Sequence, residues 1–475
     1  MRPASGLRRR ASGVRRPACG RAGRVRSRLW ARPPRMCGRV PRSSFPLPHV
    51  PRRIPAADAG SDPLRADRQH PTGGAPRMTT TVTRAPRPAR ILFSFARGRG
   101  HLNPMLPLAR AAAAAGHETA LCGARPIVLD QTGFDHLHPR EVSTMPSTAG
   151  ADWSERDTGR LTPVSAAGLL ANIAPHFLGD TGRESRAAVI EVAREWAADV
   201  VVCDGQDFGA MVAAEVAGLP CVVVEVLATV PDAWLERIRE PMQGFRAEVG
   251  LAPDPELRVA HGALTVVPFP PALRADRASQ GPVTRMRPDA PQPERDHPAV
   301  AWLAAGDEEQ RVYATLGTVF NRASGDLLPR IIRALESLPV RALVTTGPDI
   351  DPAGFRAASP RIRVERYVPQ DGAIAAADLV VSHGGSGTMT QALSHGVPVL
   401  MLPLGADHLP NSQRVRDLGA GAMVDARATT DELAARIRDL LADAAPRAAA
   451  AAVAAEMRAL PSPDDVMRRI EALLR

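Results

Sequence analysis

The chain has no lysine: all 60 of its basic residues are arginine. That uniformity reads as codon bias in a GC-rich genome and not as a design for phosphate binding. No window approaches the apolar length of a membrane span. The Ala-rich stretch 448–455 is short and flanked by Arg447 and Glu456, so it reads as a helix, and no stable membrane insertion is expected. Cysteine is scarce, at five residues in 475. Cys19 and Cys37 lie in an Arg-rich tail, while Cys122, Cys203 and Cys221 lie in or beside apolar strand-like runs. No disulfide framework is implied, and a cytoplasmic compartment is expected. Glutamate is absent from residues 1–77, which hold 19 Arg and 3 Asp for a net charge of +16. Residues 78–475 therefore carry −6, so the pI near 10.6 does not mark a nucleic-acid-binding surface on the folded part. Those 77 residues also contain twelve prolines and no apolar periodicity. They lack the apolar core of a signal peptide despite the run Arg8-Arg9-Arg10. A disordered tail is expected over 1–87, with Met78 as the expected true start.

What is present, from Ala89 onward, is an alternation of apolar runs and helical stretches. Ile91-Leu-Phe-Ser-Phe95 reads as a first strand, Pro104 to Ala115 as a helix stopped by Gly116, and His117 to Cys122 as a second strand. Asp199 to Cys203, a helix over 207–217 and Cys221 to Val226 follow. A second series comprises Arg311 to Leu316, Val340 to Thr345, Ile362 to Val364, Asp378 to Val381 and Val397 to Leu402. Strands alternating with helices predict parallel sheets covered on both faces. The Pro-rich, charged stretch between Arg285 and Pro298 has a linker's composition and divides the folded part near its middle. The expected organisation is a first domain over 88–285, a linker over 286–299, a second domain over 300–458 and a terminal helix over 459–475. That helix is announced by Ser462 as N-cap, Pro463 at its first position, Asp464 and Asp465, and an apolar stripe of Val466, Ile470 and Leu473.

The most informative block is His383-Gly-Gly-Ser-Gly-Thr388, a helix to about Ser394, the run Gly396 to Pro403, then Asp407, His408 and Asn411. A strand delivers the chain into a glycine turn that opens a helix, whose first N–H groups favour an anionic ligand. One strand later, Asp407 and His408 stand at the same sheet edge, where open α/β sheets bind ligands. A phosphate cradle beside a hydroxyl-reading loop suits a nucleotide sugar. In the first domain His101 begins the turn after the first strand, and Asp204 ends the strand Val200 to Cys203, on the same edge. A histidine near neutral pKa suits removal of an acceptor hydroxyl proton, and an acid orienting its other nitrogen improves it. Asp207 is the fallback acid.

The ordered block resembles the donor-binding region of family 1 glycosyltransferases, especially actinobacterial macrolide and antibiotic enzymes. The likeness extends to Arg366-Tyr367-Val368-Pro369-Gln370, to Leu316-Gly317-Thr318 and to Gly100-His101-Leu-Asn-Pro104, and it spans roughly residues 88–475. It implies the GT-B architecture, two Rossmann-like doubly wound parallel-sheet domains facing across a cleft, with the terminal helix packed back on the first. It also implies that Tyr367 stacks on the nucleobase, that the Val368 backbone pairs with the base edge, and that Gln370 belongs to the same element. His383 and the turn Gly385-Ser386-Gly387-Thr388 would hold the pyrophosphate, closed by Thr318. Gln391 matches a ribose-contacting position that is Glu in many relatives. Asp407 would accept hydrogen bonds from sugar hydroxyls, and His408 stands where the family usually has Gln. The His101–Asp204 dyad occupies the family's catalytic positions. The resemblance implies inverting transfer of a UDP- or dTDP-linked sugar to a small hydrophobic acceptor, with no cofactor or metal, by a monomer or homodimer.

Other readings fit less well. A dinucleotide fingerprint needs a third glycine after Gly98-Arg-Gly100, and that position is Asn103. Asp349-Ile350-Asp351 has the spacing of a metal-binding pair but sits in a turn after Gly347-Pro348 with no His or Glu partner nearby. A transferase of the lipid-linked peptidoglycan type would need an apolar, basic membrane-facing patch. A catalytically inactive helper would not need both His101 and Asp204. Trp153, Phe177, Phe208 and Trp234 are expected to border an acceptor region between about residues 130 and 250, or to be ordinary core aromatics.

Overall fold

Valine-rich runs, apolar on both faces, suit strands covered from both sides, and here they build two six-stranded parallel sheets. The computed structural model describes residues 87–475 except 97, 125–126, 129–130, 132–134, 136–173, 230–232, 276–280, 289–295, 306–309, 319–320, 322–323, 349, 356 and 358. The N-terminal tail with Met78, Trp153, Asp349 and much of the linker lie outside the described residues.

The first sheet holds β1 (Arg90–Ser94), β2 (Glu118–Cys122), β3 (Val200–Asp204), β4 (Cys221–Val224), β5 (Leu264–Val267) and β6 (Val283–Arg285). Their order is β2-β1-β3-β4-β5-β6. Ser94 of β1 lies opposite Cys122 on one side and Cys203 on the other. The winding reverses between β1 and β3, so the loops leaving those two strands diverge and open a crevice. The second sheet holds β7 (Gln310–Thr315), β8 (Val340–Thr345), β9 (Ile362–Glu365), β10 (Leu379–Ser382), β11 (Val399–Met401) and β12 (Gly421–Met423). Its order, β12-β11-β10-β7-β8-β9, reverses between β7 and β10, with Ser382 opposite Thr315. The α/β class with two doubly wound sheets is the one the sequence predicts.

The helices that bear on the two sheet edges are α1 (Leu106–Ala114), α2 (Asp180–Glu195), α3 (Phe208–Ala217), α4 (Ser386–Ser394), α5 (His408–Asp417) and α6 (Pro463–Leu473). The helix expected from Pro104 to Ala115 is divided. A helical turn at Arg99–Leu102 and a 3-10 turn at Asn103–Met105 precede α1. Pro104 has no N–H to give a helix interior, so it sits in the 3-10 turn instead. Buried residues all round α3, among them Phe208, Met211 and Val212, place that helix in the interior, and Gly218 at φ 67° ends it.

α6 begins with a reciprocal capping box between Ser462 and Asp465. Its buried residues Val466, Met467 and Ile470 join Leu102, Met105 and Leu108 in the core of the first lobe. Leu473, expected on this stripe, is 37% exposed, and Met467 takes the inward position in its place. The ring of His117 ties the helix down: Nδ1 accepts from Ala89 N and Nε2 lies 3.1 Å from Glu471 Oε1. The lobes also share an apolar seam. Ala228, Val267, Phe269 and Leu273 of the first are buried with Val368, Met389 and Val397 of the second. Beside the seam, Arg414 Nε donates to Ala272 O at 2.6 Å, and Ala272 N donates to the Glu456 carboxylate.

Candidate active site

At the first switch point, β1 leads into the helical turn that carries His101, and β3 ends on Asp204. His101 Nδ1 lies 3.0 Å from Asp204 Oδ1, with side-chain exposures of 18% and 0%. Asp204 also accepts from Ala96 N at 2.7 Å and Gln206 N at 2.8 Å. Two backbone N–H groups thus hold the carboxylate and offset its desolvation. The bond to Nδ1 places a proton there and leaves Nε2 as the basic nitrogen. Asp207 cannot substitute. It caps α3, accepting from Ala210 N, and its oxygens also accept from Ser94 Oγ and Ser185 Oγ. Those bonds make it part of the scaffold under the dyad.

Of the expected aromatics, Phe177 borders the dyad, its ring 6.1 Å from that of His101. Phe208 and Trp234 are buried in the core with Val201 and Met211. The packing reading is the right one for those two.

At the second switch point the glycine turn meets the loop after β7. Gly317, at φ 73°, passes so close over His383 that an added Cβ would lie 2.6 Å from Cε1. Thr318 follows it and is exposed. Gly384, at φ 88°, is similarly pressed on Ser412 and His408. Gly385 is the N-cap of α4, which begins at Ser386, earlier than the sequence suggests. Ser386, Gly387 and Thr388 are therefore its first three residues, whose amides have no partner within the helix. A Cβ on Gly387 would meet no protein atom within 4 Å. Packing does not demand glycine there, but the close approach of a ligand to the backbone would.

Two residues expected to face a ligand are turned inward. Ser386 Oγ donates to Asp407 Oδ2 and accepts from Ala228 N of the first lobe at 2.8 Å. Its hydroxyl is therefore spent within the protein, leaving its amide for an anion. His408 is not a loop residue; it opens α5 behind Asp407 and is buried. Its Nδ1 accepts from Gly405 N and Leu404 N, and its ring stands edge-on to His383 at 4.6 Å. It props the cradle from behind. Asp407 uses Oδ2 for Ser386 and for Asn411 Nδ2, which leaves Oδ1 out of those bonds.

Burial pushes His408 down to about 3, and burial together with the neighbouring His408 pushes His383 to about 3. Both are neutral in the folded protein, so His383 brings no positive charge to the turn, and its Nδ1 is buried without a hydrogen-bond partner. In the unfolded chain both return to about 6.5. The unfolded state then binds protons first as pH falls. The stability contributed by the neutral rings is full above about pH 6.5 and is lost progressively down to about 3. His408→Gln removes one of the two titrations and should flatten the fall of the denaturation midpoint across that window. An unchanged slope would assign the acid sensitivity to other groups.

Tyr367 is 75% exposed, whereas the Val368 side chain is buried and leaves only its backbone for a ligand. Gln370 Nε2 donates to Gln391 Oε1, which couples the two polar side chains. The Thr388 side chain is largely buried. Asp351 caps the 3-10 turn Pro352–Gly354 and pairs with Arg366 at 3.3 Å. Among the described residues no cluster of three or more His, Cys, Asp or Glu is placed to hold a metal ion. The sequence did not single out Ser94, Ser185, Ala228 and Thr229 as site partners. Each lies far along the chain from the group it serves, and only the fold brings them together.

Residues 341–473 match the family described as erythromycin biosynthesis protein CIII-like, C-terminal domain. The chain is 27% identical over 432 residues to the 3-alpha-mycarosylerythronolide B desosaminyl transferase of Saccharopolyspora erythraea, covering 81% of this chain and 98% of that protein. It is 29% identical over 398 residues to the elloramycin glycosyltransferase ElmGT of Streptomyces olivaceus, covering 80% and 96%. The solved structure of spinosyn rhamnosyltransferase SpnG complexed with thymidine diphosphate aligns with a TM-score of 0.64 at 25% identity, covering 80% of this chain and 100% of its own.

Proposed function

Because this chain is a glycosyltransferase of the GT-B fold, similar to actinobacterial antibiotic-pathway enzymes, we propose that it moves a sugar from a dTDP-sugar to a hydroxyl of a small hydrophobic acceptor, inverting the anomeric centre. The observation that carries this reading is the His101–Asp204 pair, 3.0 Å apart, in a lobe whose Ala228 donates to the donor turn at Ser386.

In the proposed reaction His101 Nε2 takes the proton of the acceptor hydroxyl as its oxygen attacks the anomeric carbon. Asp204 stabilises the imidazolium that forms. The carbon–oxygen bond to the diphosphate breaks on the opposite face, which inverts the centre. Negative charge then grows on the departing phosphate oxygen, where the amides of Ser386, Gly387 and Thr388 would meet it. Tyr367 would carry the thymine ring, and Asp407 Oδ1 the sugar hydroxyls. Thymidine is preferred over uridine as the carrier because the aligned spinosyn enzyme holds thymidine diphosphate.

The test pairs calorimetry with dTDP-glucose and UDP-glucose against turnover with hydroxylated aromatic polyketides. Tighter binding of the thymidine donor and a product of opposite anomeric configuration are expected. Binding of neither donor sinks the reading. A retained configuration rules out single displacement by His101.

A further inference from the structure

Where the lobes meet, a chain of buried hydrogen bonds runs from the acceptor side to the carboxylate assigned to the donor sugar. Thr229 Oγ1 donates to Asn411 Oδ1 at 2.5 Å. Asn411 Nδ2 lies 2.8 Å from Asp407 Oδ2, 2.9 Å from Gly384 O and 3.2 Å from Ser386 Oγ. Gly384 O and Asp407 Oδ2 are acceptors only, so they fix which end of the Asn411 amide faces them. Its oxygen must then face the first lobe, where the Thr229 hydroxyl meets it. Next along the same loop, Ala228 N donates to Ser386 Oγ, which in turn donates to Asp407 Oδ2. Asn411 is fully buried, and Ser386 and Asp407 nearly so, so each lost bond leaves a buried polar atom without a replacement from water.

We infer that Thr229 and Asn411 are positioning residues: through them, docking of the loop after β4 sets the orientation of Asp407 and so its grip on the donor sugar. The inference rests on the proposed transferase reading. Two donors from the second lobe, Asn411 Nδ2 and Ser386 Oγ, converge on one carboxylate oxygen, and each is held in turn by one residue of the first lobe. The hold on Asp407 Oδ2 therefore draws on both lobes, and Oδ1 takes no part in it. The Thr229 hydroxyl reaches Asp407 through the Asn411 side chain, whereas the phosphate amides of α4 are backbone groups that Thr229 does not itself bond.

The coupling is read by comparing thymidine diphosphate, which lacks the sugar, with dTDP-glucose by calorimetry. Thr229→Val keeps the shape and removes the hydroxyl. It should weaken dTDP-glucose on the order of 10-fold and leave thymidine diphosphate nearly unchanged. Thr229→Ser should restore the loss. Should the valine variant be insoluble, Thr229→Ala carries the same comparison. Equal weakening of both ligands would reduce the contact to a general lobe clamp and overturn the inference, as would unchanged affinity for both. Wild-type protein that binds thymidine diphosphate but no dTDP-glucose would overturn the sugar role of Asp407. Wild-type protein that binds neither would instead overturn the transferase reading itself.

Discussion

Replacing His101 with alanine should lower turnover by roughly 10²–10⁴-fold, the usual contribution of a general base. Affinity for thymidine diphosphate should remain near that of the wild type, since the cradle is built on β7, β10 and α4 of the other lobe. Stability should change little, because the His101 side chain is partly exposed and its ring bonds Asp204 at the mouth of the crevice. Asp204→Asn is a different kind of change. Asp204 accepts from three N–H groups, and an asparagine amide must turn its NH₂ toward at least one of them. It should therefore lower the melting temperature as well as turnover. If His101→Ala keeps its turnover but loses nucleotide affinity, His101 is a phosphate ligand and the base lies elsewhere.

Gly387→Leu should abolish donor binding without disturbing the fold. The added side chain meets no protein atom at its Cβ, and the position is not in the left-handed region, so the melting temperature should hold or rise slightly. A leucine there would occupy the space over the first turn of α4 where the diphosphate is proposed to sit. Losing two charge-assisted hydrogen bonds of about 1.5–3 kcal/mol each corresponds to at least about 100-fold in affinity. Calorimetry with thymidine diphosphate checks this. Undiminished binding would move the anion away from α4.

The central strands were legible because their physics is local. Val200 to Cys203, Cys221 to Val224 and Leu379 to Val381 are unbroken apolar runs next to turn residues, as strands buried on both faces require. The edge of the second sheet was not. β12 is Gly421-Ala-Met423, with no β-branched residue, and a Cβ on Gly421 would lie 2.0 Å from Val399 O. Its strand character comes from its neighbour β11. β5 and β6 are only four and three residues long, too brief for a pattern to declare itself. In the site, residues at strand ends could be assigned to an edge, which is why His101, Asp204, His383 and Asp407 could be grouped from sequence. Side-chain direction could not. A serine at a helix start reads equally as a phosphate ligand or as a partner for a carboxylate. The choice at Ser386 is made by Ala228 and Asp407, 158 residues before it and 21 after it.

The final helix changes how this enzyme could be recombined with its relatives. The chain crosses between lobes twice, once between β6 and β7 and again before Ser462, because α6 buries Val466, Met467 and Ile470 against the lobe where the fold begins. A hybrid joined only at the linker would bring a foreign α6 onto a native α1, and Ile470 would be replaced by whatever the donor lobe's owner uses there. Exchanging second lobes between such enzymes therefore calls for two splice points, with the last helix kept beside the first lobe it packs against.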